Sequence, residues 1–168
     1  MSLKKLKQDR QKKQYWRNIN FQSPGYTITV GEIVDEFEKA KTRKSKKEIL
    51  EKFQDIEVLR HLLRGTFDPK VQWLISEKPD YTAQNVPEGE APNTLYQEIP
   101  KCSIFVKGHL ASAKLKPERA KQLLIQIMES LHPAEAELYM QMLKKKSKVK
   151  GLTSKLVLEV FPNLYKGV

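Results

Sequence analysis

At 168 residues, with a formal net charge of +11 and a pI near 9.6, the chain is long enough to bury one core without staples and basic enough to favour a polyanionic partner. Nucleic acid ranks first, an anionic membrane surface second and an acidic protein third. Hydrophobic residues at 39% and charged residues at 30% imply a broad wetted surface, and Cys102 as the only cysteine excludes an intramolecular disulfide and a cysteine-based zinc or iron–sulfur site. No apolar run approaches the roughly 18 residues of a spanning helix, and the basic N-terminus lacks the apolar stretch of a secretion signal. The expectation is a cytoplasmic protein that engages no membrane.

Residues 1–25 form a basic arm, in which Lys4, Lys5, Lys7, Arg10, Lys12, Lys13 and Arg17 oppose a single acid, Asp9. It reads as a disordered arm or as a short helix that forms on contact, and docking of Tyr15, Trp16 and Phe21 on the body is favoured over stacking on bases. Ser23-Pro24-Gly25 is a turn signal, after which 26–168 read as a single domain.

Thr29 and Glu32 have capping-box spacing, and Ile33, Val34, Phe37 and Ala40 then share a helical face to about Lys41. Ser45 with Glu48 repeats that spacing and opens a short helix through Ile49, Leu50 and Phe53. Asp55 is the predicted cap of a third helix, with Ile56, Leu59, Leu62 and Leu63 inward and Gly65 at its end. Asp68-Pro69 reads as a further helix start leading into Val71, Trp73, Leu74 and Ile75. Residues 57–75 thus read as helix, glycine turn, helix.

A proline-rich connection follows at 79–100, acidic at Glu88 and Glu90 where the rest is basic. Ile104, Phe105 and Val106 form an apolar run compatible with strand or helix, helix being preferred because its surroundings are helical. Pro117 starts the most periodic segment, with a stripe of Ala120, Leu123, Leu124, Ile127, Met128 and Leu131, and His132-Pro133 starts the next. That helix delivers the chain to 142–161, where Lys144, Lys145, Lys146, Lys148 and Lys150 precede Gly151 and a helix capped by Thr153 or Ser154 and closed by Pro162. With no strand signal, the fold class is all-α, an irregular multi-helix bundle with two pseudo-repeated helical hairpins at about 45–76 and 117–161. The basic run leading into a helix N-terminus is where a phosphate would sit; the bland alternative is a solvated lysine face.

The sequence carries no sign of an active site. His61, His109 and His132 are scattered without metal-ligand spacing, His61 reads as a packing residue among leucines, and no phosphate-binding glycine loop or partner for Cys102 occurs. The expectation is a protein that is not an enzyme, with no catalytic residue, cofactor or metal.

Residues 137–165 carry a helix, a basic-to-Gly turn and a second helix closing on Phe161-Pro162-Asn163-Leu164. This resembles the end of the N-terminal DNA-binding domain of ATP-dependent DNA ligases, most closely the T-even phage type. Residues 46–78, with Lys47-Glu48-Ile49-Leu50-Glu51-Lys52, Glu57-Val58-Leu59 and a helix ending near Lys78-Pro79, look like that domain's first half. The similarity spans about 29–164. It implies an all-helical domain that saddles duplex DNA, with minor-groove phosphate contacts at Lys148, Lys150, Gly151, Thr153, Ser154 and Lys155, and at Arg64, Gly65, Thr66 and Lys70 in the matching first turn. The family's Lys-x-Asp-Gly nucleophile motif is absent from the sequence, which puts ligation in doubt and leaves a stand-alone relative of the binding domain, expected to be phage-encoded. The leading expectation is a non-catalytic duplex-DNA-binding accessory protein in replication, repair or recombination. Alternatives are an adaptor docking on a replication or transcription protein, and an RNA-binding protein.

Overall fold

The structure, a computed structural model, describes residues 28–87 and 90–166; the basic arm and the acidic Glu88 lie outside them. Seven α-helices and two 3-10 segments make up its regular structure, so the all-α class holds, and no strand or sheet forms among the described residues. Helix α1 (Val30–Lys39) opens with the expected capping box: Thr29 Oγ1 accepts from the Glu32 amide at 3.1 Å, and Glu32 Oε1 accepts from the Thr29 amide at 3.0 Å. It ends at Lys39, two residues before the predicted boundary.

Helix α2 (Arg43–Lys52) begins earlier than its predicted cap. Thr42 is the N-cap and Ser45 its third-position partner, each hydroxyl accepting the other's amide at 3.0 Å. Helix α3 (Glu57–Phe67) corrects three expectations. Its N-cap is the wholly buried Ile56 rather than Asp55, so apolar burial fixes the chain's entry where a side-chain cap was expected. Gly65 lies inside the helix, which runs on to Phe67. His61 is exposed on the outer face, 3.2 Å from Glu57, and is not packed among the leucines of the core.

The helix predicted after Pro69 is absent, and with it the first of the two hairpins. Asp68 instead terminates α3, its amide donating to Arg64 O at 2.8 Å, and its buried carboxylate accepts from the Lys70 amide at 2.9 Å in a side-chain turn. Residues 71–75 form no helix and pair with the segment after Phe105: Leu74 N donates to Phe105 O at 2.7 Å, Lys107 N to Gln72 O at 2.8 Å, and Trp73 bridges Val106 in antiparallel fashion. The physical reason was present in the side chains. Val71, Trp73 and Ile75 alternate inward with the exposed Gln72, Leu74 and Ser76, a period of two rather than 3.6. No helix ends near Lys78; the irregular connection lasts until the short α4 (Leu95–Glu98). The open strand-or-helix run resolves as a 3-10 helix, Ile99–Phe105, and a second 3-10 turn covers Leu110–Ser112.

Helices α5 (Pro117–Ser130) and α6 (Pro133–Lys144) start at the predicted prolines. Helix α6 is the centre of the molecule: Ala136, Leu138, Tyr139, Met140, Met142 and Leu143 are all buried, so it presents apolar surface almost all round. It packs on α1, α3 and α5, and each fully buried large side chain contributes about 1.5–3 kcal/mol. Glu135 ties further elements to it, its carboxylate accepting from the Gly31 amide at 3.4 Å and the Leu95 amide at 3.2 Å, at the N-terminal ends of α1 and α4. The consequence is positional: the C-terminal end of α6, where the basic loop begins, is held by the core. Helix α7 (Ser154–Val160) returns from that loop and packs along α2.

Candidate nucleic-acid interface

The loop between α6 and α7 is built as the lysine-and-glycine pattern requires. Helix α6 is capped by Lys145 in the left-handed conformation, φ 55°, an arrangement that costs a residue with a Cβ about 1–2 kcal/mol. Lys145 offsets this by reaching back across the fold. Its Nζ donates to Asp68 O at 2.6 Å and Gly65 O at 3.1 Å, satisfying carbonyls at the end of α3. Burial pulls the Lys145 ammonium below its ordinary pKa, and the nearby Asp68 partly opposes the shift. Further on, the Gln141 side chain accepts from the Lys148 amide at 3.0 Å and Val149 turns into the core. Gly151 then takes φ +83°, and Thr153 caps α7 by accepting from the Leu156 amide at 3.2 Å. Of the two hydroxyls predicted to cap, Thr153 does so; Ser154 sits 2.9 Å from the Tyr165 hydroxyl.

Helix α2 supplies the other half of this corner. Lys46 is buried against the turn, with its aliphatic stem where a Cβ on Gly151 would stand, 2.8 Å from Cδ. Its Nζ donates to Phe37 O at 2.9 Å at the end of α1 and lies 4.8 Å from the Phe37 ring centroid. Lys46 therefore fastens α1, α2 and the turn together. One turn away, Arg43 is hydrogen-bonded and ion-paired to Glu159 of α7. The Arg43 guanidinium holds the Glu159 carboxyl below the usual carboxylate range, and the positive charges of Lys47 and Lys155 act in the same direction. Three cations from two helices, Arg43 and Lys47 of α2 and Lys155 of α7, thus act on one carboxylate, while Lys150 precedes the glycine that Lys46 packs against. Lys150 and Lys155 are exposed and form no ion pair among the described residues. Lys148 is also exposed and lies 3.8 Å from Glu137.

Arg43, Lys46 and Lys47 were not among the predicted contacts. Their signal was available as the run Arg43-Lys44-Ser45-Lys46-Lys47, which the capping-box reading of Ser45 treated as a helix start alone.

The predicted first turn does not offer a second grip. Gly65 and Thr66 are buried within α3, Thr66 Oγ1 donating to Leu62 O at 2.8 Å, so neither can meet a phosphate. Arg64 is half-buried and paired with Asp68 at 3.2 Å, and Gly65 O accepts from Trp73 Nε1 at 3.0 Å. Lys70 alone is exposed, its Nζ donating to Tyr165 O at 2.8 Å. The structure does bring the two segments side by side, through Lys145 to Asp68 and through Tyr165 to both Lys70 and Ser154, though as a packed joint rather than as paired hairpins.

The remaining reactive groups are occupied structurally. Burial pushes the Cys102 thiol up to about 11, so it is protonated at neutral pH and a poor nucleophile. His109 and His132 each accept a backbone amide on Nδ1, from Ala111 at 3.0 Å and Ala134 at 3.1 Å, and so cap the elements that follow them. No group of three or more His, Cys, Asp or Glu side chains able to hold a metal ion occurs among the described residues. None of their helices is long and apolar enough to cross a membrane.

A family model described as a family of unknown function, DUF6433, matches residues 33–149. No curated protein and no solved structure matches the chain.

Proposed function

The chain belongs to the DUF6433 family, and for it we propose a non-catalytic role: it grips the phosphate backbone of duplex DNA through the corner made by α2, the Gly151 turn and α7. The observation that carries this reading is that Arg43 and Lys47 of α2 and Lys155 of α7 act together on Glu159, while Lys46 of the same α2 fastens the Gly151 turn that carries the exposed Lys150. Lysines held on a rigid support lose less entropy on meeting phosphates than lysines on a mobile chain. The resemblance of 137–165 to ligase DNA-binding domains adds the expectation of duplex DNA in replication, repair or recombination, and stands on the sequence alone. Backbone amides, lysines and hydroxyls position a protein on DNA without reading bases, so binding is expected to tolerate any sequence. With about five phosphates neutralised, log affinity should fall with log salt at a slope near −4 to −5.

Fluorescence anisotropy with intact, nicked and single-stranded DNA, and with duplex RNA as competitor, tests the reading. The variant K148A/K150A/K155A is expected to lose affinity for all DNA sequences alike and to flatten the slope by about one unit per lost contact. Preference for duplex RNA would move the function to the RNA-binding alternative. Unchanged affinity in the folded triple variant would favour the adaptor.

A further inference from the structure

The opposite side of α3 carries a surface that the lysine corner does not use. An open groove of about 650 Å³ runs between α3 and the 3-10 helix Ile99–Phe105, floored by Val71, Trp73, Tyr96, Ile99 and Val106. It continues at one end, past Glu57, His61 and Arg64, into a trough beside Arg60 and the segment 161–164. At the other end it passes His109 into a hollow formed with Leu74, Lys107 and Leu110. Leu74 is 40% exposed and Leu110 is 94% exposed; they are the large exposed hydrophobics among the described residues, and both lie on this one hollow. A single exposed leucine is ordinary, whereas two at the mouth of an apolar groove extend its floor.

The charge around the groove selects among occupants. Arg60 and Lys107 outnumber Glu57 along the rim, with His61 and His109 between them, while Arg64 is held by Asp68. The chain's own residues 1–27 immediately precede Ile28, whose carbonyl accepts from Tyr96 Oη at 2.6 Å at the groove's edge, but they carry seven Lys and Arg against Asp9 and would meet like charge. We infer that this groove binds an acidic peptide segment of another protein, one that lays bulky apolar side chains on the Trp73–Val106 floor and sets carboxylates against Arg60 and Lys107. Apolar anchors supply the affinity of such a contact and the charged rim supplies its selectivity and rate of encounter. The inference is independent of the phosphate-gripping corner.

The test uses the full chain and a pool of fluorescein-labelled fourteen-residue peptides in which Asp and Glu flank Leu and Trp, with one control pool carrying Lys for the acids and one carrying Ser for the anchors. The acidic anchored pool is expected to bind at least tenfold more tightly than either control. Both Leu110→Asp and Arg60→Glu lie on exposed or half-exposed positions and should weaken that binding about fivefold or more, while K148A/K150A/K155A leaves it unchanged. Amide resonances of Val71, Val106 and His109 should move on titration. Equal binding of the three pools, no detectable binding, or binding lost in the lysine variant and kept in Leu110→Asp would overturn the inference. A synthetic peptide of residues 1–27 that binds the groove in preference to the acidic pool would give the groove to the chain's own N-terminal segment. Self-association abolished by Leu110→Asp would give it to a second copy, and displacement of the peptide by duplex DNA would make it part of the nucleic-acid face. Each of these also overturns the inference.

Discussion

Residues 64–70 and 148–155 are composed of the same materials: a basic residue or two, a glycine, a hydroxyl residue and a lysine. In the first, glycine is required for its lack of volume. Gly65 is helical, and a Cβ there would lie 2.8 Å from both Met142 Sδ and Trp73 Cζ2. In the second, glycine is required for its backbone, since Gly151 sits at φ +83° and meets only the flexible stem of Lys46. Charge divides the two regions the same way. Arg64 faces the buried Asp68, whereas Lys150 and Lys155 face solvent. A glycine next to lysines therefore offers their charge to a partner only where the chain around it is turned outward. The two glycines give the sharpest means of testing that distinction.

Gly65→Val should produce the largest effect, and on stability alone. The new side chain must displace Met142 and the Trp73 ring, and overpacking of this kind costs about 1–3 kcal/mol. The lost helix-breaking character of glycine returns only a few tenths of that. A fall in melting temperature of roughly 4–10 °C is expected by calorimetry. The protein that remains folded should bind DNA as before. Impaired binding at full occupancy of the native state would mean that Gly65 belongs to the interface after all.

Gly151→Val is the counterpart. A β-branched residue in the left-handed region costs about 1–2 kcal/mol, and its Cβ would push the Lys46 stem. Helicity should be largely retained, because Thr153 still caps α7 and α6 is already capped by Lys145. DNA affinity should nevertheless drop about fivefold, near 1 kcal/mol, as Lys150 and Lys155 lose their register with α2. Circular dichroism and anisotropy on the same sample separate the two effects.

How much of this contrast was legible in advance depended on which interaction determined each element. The starts of helices α5 and α6 were readable to the residue, because proline at the first helical position is a local signal, and the stripe from Ala120 to Leu131 made α5 itself plain. The turn at Gly151 and a hydroxyl cap at Thr153 or Ser154 were readable because they too are local signals, and Thr153 is the one that caps. The region after Gly65 was legible only in part: the period of two at Val71, Trp73 and Ile75 was there, but the apolar Leu74 between them blurred it. Its conformation is set by partners distant in sequence, among them Met142, Lys145 and Phe105, and a Gly followed by Asp-Pro has the local appearance of a helix break and restart. The part of the candidate site contributed by α2 was hidden similarly, since only the packing of α2 on α7 sets Arg43 and Lys47 beside Lys155.

Lys145 joins the two regions, and its charge provides a third, smaller test. Lys145→Met keeps the aliphatic stem and removes the donors to Gly65 O and Asp68 O, for an expected loss of about 1 kcal/mol at pH 7. Because the folded-state pKa of Lys145 lies below its unfolded value, the native protein releases this proton sooner than the unfolded chain does as pH rises. The contribution of this titration to stability therefore increases with pH between the lowered folded pKa and 10.5, and diminishes again as the pH falls through the folded value. Denaturant midpoints of the two proteins at pH 7, 9 and 10 should reveal a positive alkaline slope in the wild type that Lys145→Met lacks. A slope shared by both would place its origin in other groups.

The smallest effect concerns the one carboxylate within the lysine corner. Glu159 neutralises part of the field that Arg43, Lys47 and Lys155 would present to a phosphate, and it holds Arg43 directly. Glu159→Gln keeps the shape of the side chain, removes the negative charge and frees the guanidinium to meet the backbone. If the corner grips DNA, affinity should rise about twofold to threefold and the salt slope should steepen by about 0.9, the value of one further phosphate contact. The lowered pKa of Glu159 keeps it ionised throughout the neutral range, so wild-type affinity should carry no Glu159 titration between pH 6 and 8, and the gain in Glu159→Gln should be constant there. The same substitution in Glu57, on the far groove, should leave DNA affinity and its salt slope unchanged, because that carboxylate faces His61 and not the corner. Equal gains from both substitutions would mean that DNA responds to net charge alone, and the difference drawn between an outward basic turn and an internally committed one would then have no bearing on binding.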